Sequence, residues 1–114
     1  MSNSKKVSVI TASFNNIKTI NDTLSSVLNQ SYNNIELIII DGCSTDGTLD
    51  LIKKREAEFK SKLTFYKLLS ERDNGIADAW NKGLKLATGD VVFFLNSDDW
   101  ISDETIQKAV NSLN

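Results

Sequence analysis

A chain of 114 residues, 40% hydrophobic and 25% charged, is long enough for one domain with a real core but near the small end for a multi-strand α/β sheet. Its net charge of -2 argues against a nucleic-acid partner, which would need a basic face, and its longest apolar runs are far too short to cross a bilayer. Histidine is absent and Cys43 is the single cysteine, so imidazole chemistry, histidine-bound zinc and an internal disulfide are excluded, and any chemistry must run on carboxylates, hydroxyls, amides and a metal.

Met1 to Lys6 is polar with no hydrophobic stretch behind it, which predicts no secretory signal and, with the lone cysteine, a cytoplasmic protein. Val7 to Thr11 reads as a first strand, after which Ile17, Ile20, Leu24, Val27 and Leu28 fall on one helical face. Ile35 to Ile40 is a nearly continuous apolar strand of the kind covered by helices on both sides. Leu49, Ile52 and Phe59 mark a second helix, and Leu63 to Leu68 a third strand. Ile76, Trp80, Leu84 and Ala87 mark a third helix with Gly89 as its stop, followed by a fourth, buried strand from Val91 to Leu95. Ser102 is placed to cap a last helix, with Asp103 and Glu104 in its first turn and Ile106, Val110 and Leu113 on its buried face. Trp80 and Trp100 read as packing residues rather than stacking platforms.

This strict alternation predicts an α/β fold: a mainly parallel sheet flanked by helices, with right-handed crossovers, in a single domain over residues 1–114. Four parallel strands leave at least one long apolar edge. The expectation is therefore either the front part of a larger enzyme or a homo-oligomer paired through the exposed edge.

The most informative stretch is Phe93-Phe94-Leu95-Asn96-Ser97-Asp98-Asp99-Trp100, where an apolar strand ends in two adjacent carboxylates. Burying such a pair unpaired would cost more than a strand gains, so both acids belong at the strand's carboxyl end. In open α/β sheets that edge is where ligands bind, and side-by-side carboxylates there suit a hard divalent cation carrying a phosphate. Three other polar loops fall on the same edge. Thr11-Ala12-Ser13-Phe14-Asn15-Asn16 offers small hydroxyls and amides beside approachable backbone, or a plain turn with a helix cap. In Asp41-Gly42-Cys43-Ser44-Thr45-Asp46-Gly47-Thr48, Asp41 can accept hydrogen bonds from a base or ribose while Asp46 or Thr45 caps the next helix. In Glu71-Arg72-Asp73-Asn74-Gly75, Arg72 could pair with a phosphate, although Asp-Asn-Gly is also a generic turn.

These loops together resemble the nucleotide-binding half of the family 2 glycosyltransferases, inverting enzymes of the Rossmann-like GT-A fold. The resemblance runs from Val7-Ser8-Val9-Ile10-Thr11 to Asp99, through Leu28-Asn29-Gln30-Ser31-Tyr32, Ile38 to Thr48, Asp73-Asn74-Gly75-Ile76, Asn81-Lys82-Gly83 and Leu95 to Asp99. It implies a nucleotide-diphosphate-sugar donor, foremost a UDP-sugar, a Mn2+ or Mg2+ ion, and a saccharide or lipid-linked acceptor. Residue by residue it implies that Thr11, Ser13 and Asn15 line the nucleotide loop and that Asp41 contacts the base. Arg72 then lies near base and ribose, Asp98 reaches ribose or metal, and Asp99 holds the cation against the diphosphate.

The chain departs from the family pattern in having Thr11 where many members have proline, Asn96 where many have Asp, and Trp80 where many have Arg. Asn96-Ser97 and Asp73-Asn74-Gly75-Ile76 resemble a branch of bacterial exopolysaccharide transferases. The acceptor-binding half and catalytic base of this family follow the Asp-x-Asp region, which places the base beyond Asn114 and predicts a chain with little transfer of its own. Location at the inner face of the membrane, as a peripheral protein, is compatible with this reading. The alternative is a non-catalytic nucleotide-binding or assembly module of the same fold. A dinucleotide-binding domain loses because no glycine follows the first strand, and a receiver domain because no acids stand there.

Overall fold

The computed structural model describes residues 5–113. Four strands, β1 (Val7–Ser13), β2 (Ile35–Asp41), β3 (Phe65–Ser70) and β4 (Val91–Asn96), form one parallel sheet in the order β3-β2-β1-β4. Helices α1 (Ile20–Leu28), α2 (Thr48–Lys54), α3 (Glu56–Lys62), α4 (Ile76–Leu86) and α5 (Thr105–Asn111) complete the fold. The strand order reverses between β2 and β4 around β1, so a switch point lies at the carboxyl end of β1.

Side chains alternate across the sheet and build two separate cores. Val9, Leu37, Ile39 and Leu95 pack with Ile20, Leu24 and Val27 of α1, Ile52 of α2, Phe59 of α3 and Ile106 and Val110 of α5. On the opposite face Ile10, Ala12, Ile38 and Ile40 meet Ala79 and Trp80 of α4. One helix therefore covers a face that several cover on the other side, and β4 reaches past its shelter. Phe94 is 45% exposed and meets Trp80 edge to face, ring centroids 4.8 Å apart. β4 is thus a half-exposed edge strand rather than the buried one its composition predicts.

A fully buried carboxylate anchors the lower end of α4. Glu36 of β2 accepts hydrogen bonds from the Ser8 hydroxyl (2.7 Å), the Thr88 backbone N–H (2.9 Å) and the Thr88 hydroxyl (3.0 Å). Lys67 lies 3.2 Å from it and also donates to the Leu86 carbonyl at the end of α4 (2.8 Å), while Lys6 stands 3.6 Å away. Burial pushes the Glu36 carboxyl up, but the Thr88 backbone N–H and the Ser8, Lys67 and Thr88 side chains outweigh it and hold the group down at about 2.

Several predicted boundaries shift for local reasons. The second helix divides into α2 and α3 at Arg55. The Arg55 guanidinium is drawn to the Asn21 side chain (2.9 Å), the Ser25 hydroxyl (2.9 Å) and Glu58 (3.0 Å). Gly89 does not stop α4, which ends at Leu86 with Ala87 extended. A Cβ at Gly89 would stand 2.5 Å from the Ser8 hydroxyl and 2.7 Å from the Lys6 carbonyl, so its role is close passage beside β1. Ser102 does not cap α5. The helix starts at Thr105, and the buried Gln30 side chain accepts from the Ile106 N–H (3.0 Å) instead. Ile17 precedes α1, and Leu113 follows α5 and is exposed. No helix among the described residues is long and apolar enough to cross a membrane.

Candidate functional site

A cavity of about 420 Å³ opens at the carboxyl edge of the sheet, over the ends of β1 and β4 and the start of α4. Ser13, Phe14, Asn16, Asp73, Ile76 and Asp98 are among the residues that line it. Gly75, at φ 110°, turns the chain into α4, a backbone conformation that favours glycine.

Asp41 holds the floor. It is fully buried, and its carboxylate accepts from the hydroxyls of Ser13 (2.9 Å), Ser44 (2.6 Å) and Ser70 (3.1 Å) and from the Ser44 N–H (2.9 Å). A carboxylate offers about four lone-pair positions, so this group is saturated by the ends of β1 and β3 and the loop after β2. Asn15, at φ 52°, joins the loop after β1 to the loop after β2. Its side chain accepts from the Thr45 N–H (2.8 Å) and its own N–H donates to Ser44 (2.9 Å). Asp46 accepts from Ile17 N–H (3.1 Å) and from the Thr48 N–H (3.0 Å) at the start of α2, and the Thr48 hydroxyl holds its carboxyl below the usual range.

Asn16 ties the β1 loop to the β4 loop. Its side-chain oxygen accepts from Phe14 N–H (2.9 Å) and from the Ser97 hydroxyl (2.5 Å). The Ser97 carbonyl accepts in turn from Thr19 and Thr23 of the α1 region, each at 2.9 Å. Asp98 and Asp99 project from this braced segment, exposed, with no hydrogen bond or ion pair to their carboxylates among the described residues. Both are open to an incoming cation. No group of three or more metal-binding side chains forms among the described residues, so a cation here would need further ligands from a phosphate or water.

Of the residues singled out from sequence, Ser13 and Asp98 line the cavity, Asp41 lies beneath it and Asn15 shapes its loops. Asp99 follows Asp98 at the surface. Arg72 is exposed on the β3–α4 loop and outside the cavity lining; its carbonyl accepts from Lys82 (2.7 Å), while its guanidinium has no partner among the described residues. Lys82 is neutralised by Glu71 at 3.2 Å and Asp78 at 3.5 Å. Thr11 is not brought to the cavity. It lies within β1, fully buried, and its hydroxyl has no hydrogen-bond partner among the described residues. Sequence reasoning passed over Phe14, Asn16, Asp73, Ile76 and Ser97 as individual site residues. The available signal was an aromatic side chain directly after a strand, and Phe14 is 59% exposed at the cavity mouth. Trp100 is 71% exposed, so it is not the packing residue that sequence suggests.

Residues 8–114 match the family model described as Glycosyl transferase family 2. The Bacillus subtilis glycosyltransferase TuaG, named for teichuronic acid biosynthesis, is 46% identical over 99 residues, 86% of this chain and 38% of its own length. The structure of Staphylococcus aureus TarS 1-349 in complex with UDP-GlcNAc superposes with a TM-score of 0.82 at 34% identity, over 93% of this chain and 30% of that one. A mannosyltransferase of Pyrobaculum calidifontis, solved with GDP-Man and Mn2+, gives a TM-score of 0.87 at 28% identity, over 96% and 32% of the two chains. The 114-residue chain thus spans between 30% and 38% of the length of these relatives.

Proposed function

The chain belongs to glycosyl transferase family 2 and has the GT-A fold, and on that premise we propose that it is the donor-binding part of an inverting glycosyltransferase of bacterial polysaccharide or glycoconjugate synthesis. The observation that carries this reading is the cavity at the switch point, with Ser13 and the unpartnered Asp98 in its wall and the exposed Asp99 next in the chain. Solved relatives of the same fold hold UDP-GlcNAc or GDP-Man. A nucleotide diphosphate sugar, foremost a UDP-sugar, is therefore the proposed ligand.

Asp98 and Asp99 are the residues that would hold a Mn2+ or Mg2+ ion, which when bound supplies Lewis-acid stabilisation of the diphosphate leaving group. Ser13 and Phe14 form the nucleotide side of the cavity, Asn15 holds their loop against the loop after β2, and the Arg72 guanidinium, unpaired among the described residues, approaches base and ribose. Asp41 fixes Ser13 in place and reaches the base only where a serine hydroxyl yields its position. Inversion requires a base to deprotonate the acceptor hydroxyl, and no residue of the cavity is assigned that role. The acceptor is a saccharide or lipid-linked saccharide, and the protein works in the cytoplasm, where it can lie against the inner membrane face.

Calorimetric titration of UDP and GDP, with and without Mn2+, into the wild type and Asp99→Ala tests the reading. Mn2+-dependent binding that the substitution removes is expected. Absence of nucleotide binding by the folded wild type, in either metal condition, would overturn it.

A further inference from the structure

Beside the donor cavity lies a second one, of about 310 Å³, between α1 and the loop that follows Asp99. Asp22, Ser25 and Asn29 line its α1 side, and Trp100, Ser102 and Asp103 its loop side. The loop is strapped down on both flanks of the tryptophan. Thr23 donates to the Asp99 carbonyl, the buried Gln30 amide donates to the Ser102 carbonyl (2.6 Å), and Ser31 N–H donates to the Asp103 carbonyl (2.7 Å). An indole 71% exposed on a loop held this firmly is a fixed apolar surface rather than a fraying side chain.

The polar lining is equally available. Asp22, Asn29 and Asp103 have no side-chain hydrogen bond or ion pair among the described residues, unlike Asp41, Asp46, Asn15 and Asn16 across the donor loops. A flat aromatic face beside free carboxylates and an amide is complementary to a sugar, whose ring carbons stack on the indole while its hydroxyls donate to the acids. The lining contains two carboxylates and no Lys or Arg, so a phosphate-bearing chain would meet repulsion. Asp98 lines the first cavity and Trp100 the second, and two residues separate their Cα atoms by at most about 7 Å. One sugar chain can therefore reach from the second cavity to the mouth of the first.

We propose that this second cavity is an acceptor subsite that holds an uncharged saccharide chain on Trp100, an inference that rests on the donor-binding reading above.

Proton–nitrogen correlation spectra of the 114-residue protein test it. The probes are cellotetraose, chitotetraose and a β-galactotetraose at millimolar concentrations, and, separately, UDP with Mn2+. Neutral oligosaccharide is expected to move the Trp100 indole N–H signal and leave that of Trp80 in place, and Trp100→Ala to weaken binding about tenfold, the size of one good stacking contact. UDP with Mn2+ is expected to move the Ser13 and Asp98 amides. A Trp100 signal that none of the three sugars moves, while UDP still shifts its own residues, overturns the subsite and leaves the donor reading standing. Silence toward both ligands overturns both. Sugar binding unchanged in Trp100→Ala removes the indole as the platform, and an equal response to a glycerol phosphate oligomer removes the preference for an uncharged chain.

Discussion

Replacing Glu36 by Gln perturbs the one fully buried carboxylate outside the site among the described residues, and its consequence is calculable. The folded carboxyl sits at about 2 against an ordinary 4.5. At about 1.4 kcal/mol for each pH unit between those values, the charged form contributes about 3 kcal/mol to stability. The sign follows from the direction. A carboxyl lowered in the fold stabilises fully above its unfolded value, and the contribution fades as pH falls toward the folded one. Glu36→Gln keeps the shape but turns an amide N–H2 toward a donor already there, the Thr88 N–H on one oxygen or the Lys67 ammonium on the other. Urea denaturation of both proteins from neutral pH downward is the assay. The wild type is expected to be the more stable at neutral pH, and the gap between the two to narrow by about 3 kcal/mol as pH is lowered toward 2. A gap that stays constant with pH, or a variant as stable as the wild type at neutral pH, would refute the reasoning.

Gly83→Ala places a methyl 2.4 Å from Cγ2 of the buried Ile10, and the overpacking is expected to cost about 1–3 kcal/mol despite the better helix propensity; an unchanged denaturation midpoint would contradict this. Asp41→Ala strips the acceptor from three serine hydroxyls and one N–H. It is expected to cost about 3 kcal/mol and to abolish nucleotide binding, read by denaturation and calorimetry together, with full-affinity binding counting against the floor role of Asp41. β4 carries no charge from Val91 to Asn96, so self-association through this edge is expected to grow with concentration and to vanish in Val92→Lys. Sedimentation velocity that finds wild-type monomer at every concentration would dismiss that expectation.

The alternation of β-branched runs with helical spacing made the parallel sheet legible, and Asp98-Asp99 pointed to the carboxyl edge where the cavity opens. What stayed hidden depends on contacts between distant residues. Nothing near Val91 announces that its strand lies at the border of the sheet, since edge and interior strands differ in neighbours rather than composition. Ser102 has the chemistry of a cap, yet Gln30 from another element takes the amide. Thr11 and Ser13 lie two residues apart and share one face of β1, but Thr11 stands opposite Ile39 inside the sheet, whereas Ser13 is at the strand's end opposite Asp41 and hydrogen-bonds it. Trp100 reads as core by size alone, and only the three straps around it explain why it stays outside.

The sheet order has a consequence for synthesis on the ribosome. β1, β2 and β3 pair with their neighbours in sequence, but the β4 side of β1 closes a loop between Lys6 and Asp90, 84 residues apart. Loop closure of that length comes late, and a nascent chain emerges from its amino end. Until residues 91–96 have emerged, β1 is itself the border of a three-stranded sheet, with its backbone open to other nascent chains. Arrival of Val91 to Asn96 seals that border and, in the same event, brings Asp98 to the cavity wall. Closure of the sheet and completion of the cavity are thereby coupled in one step, the docking of β4.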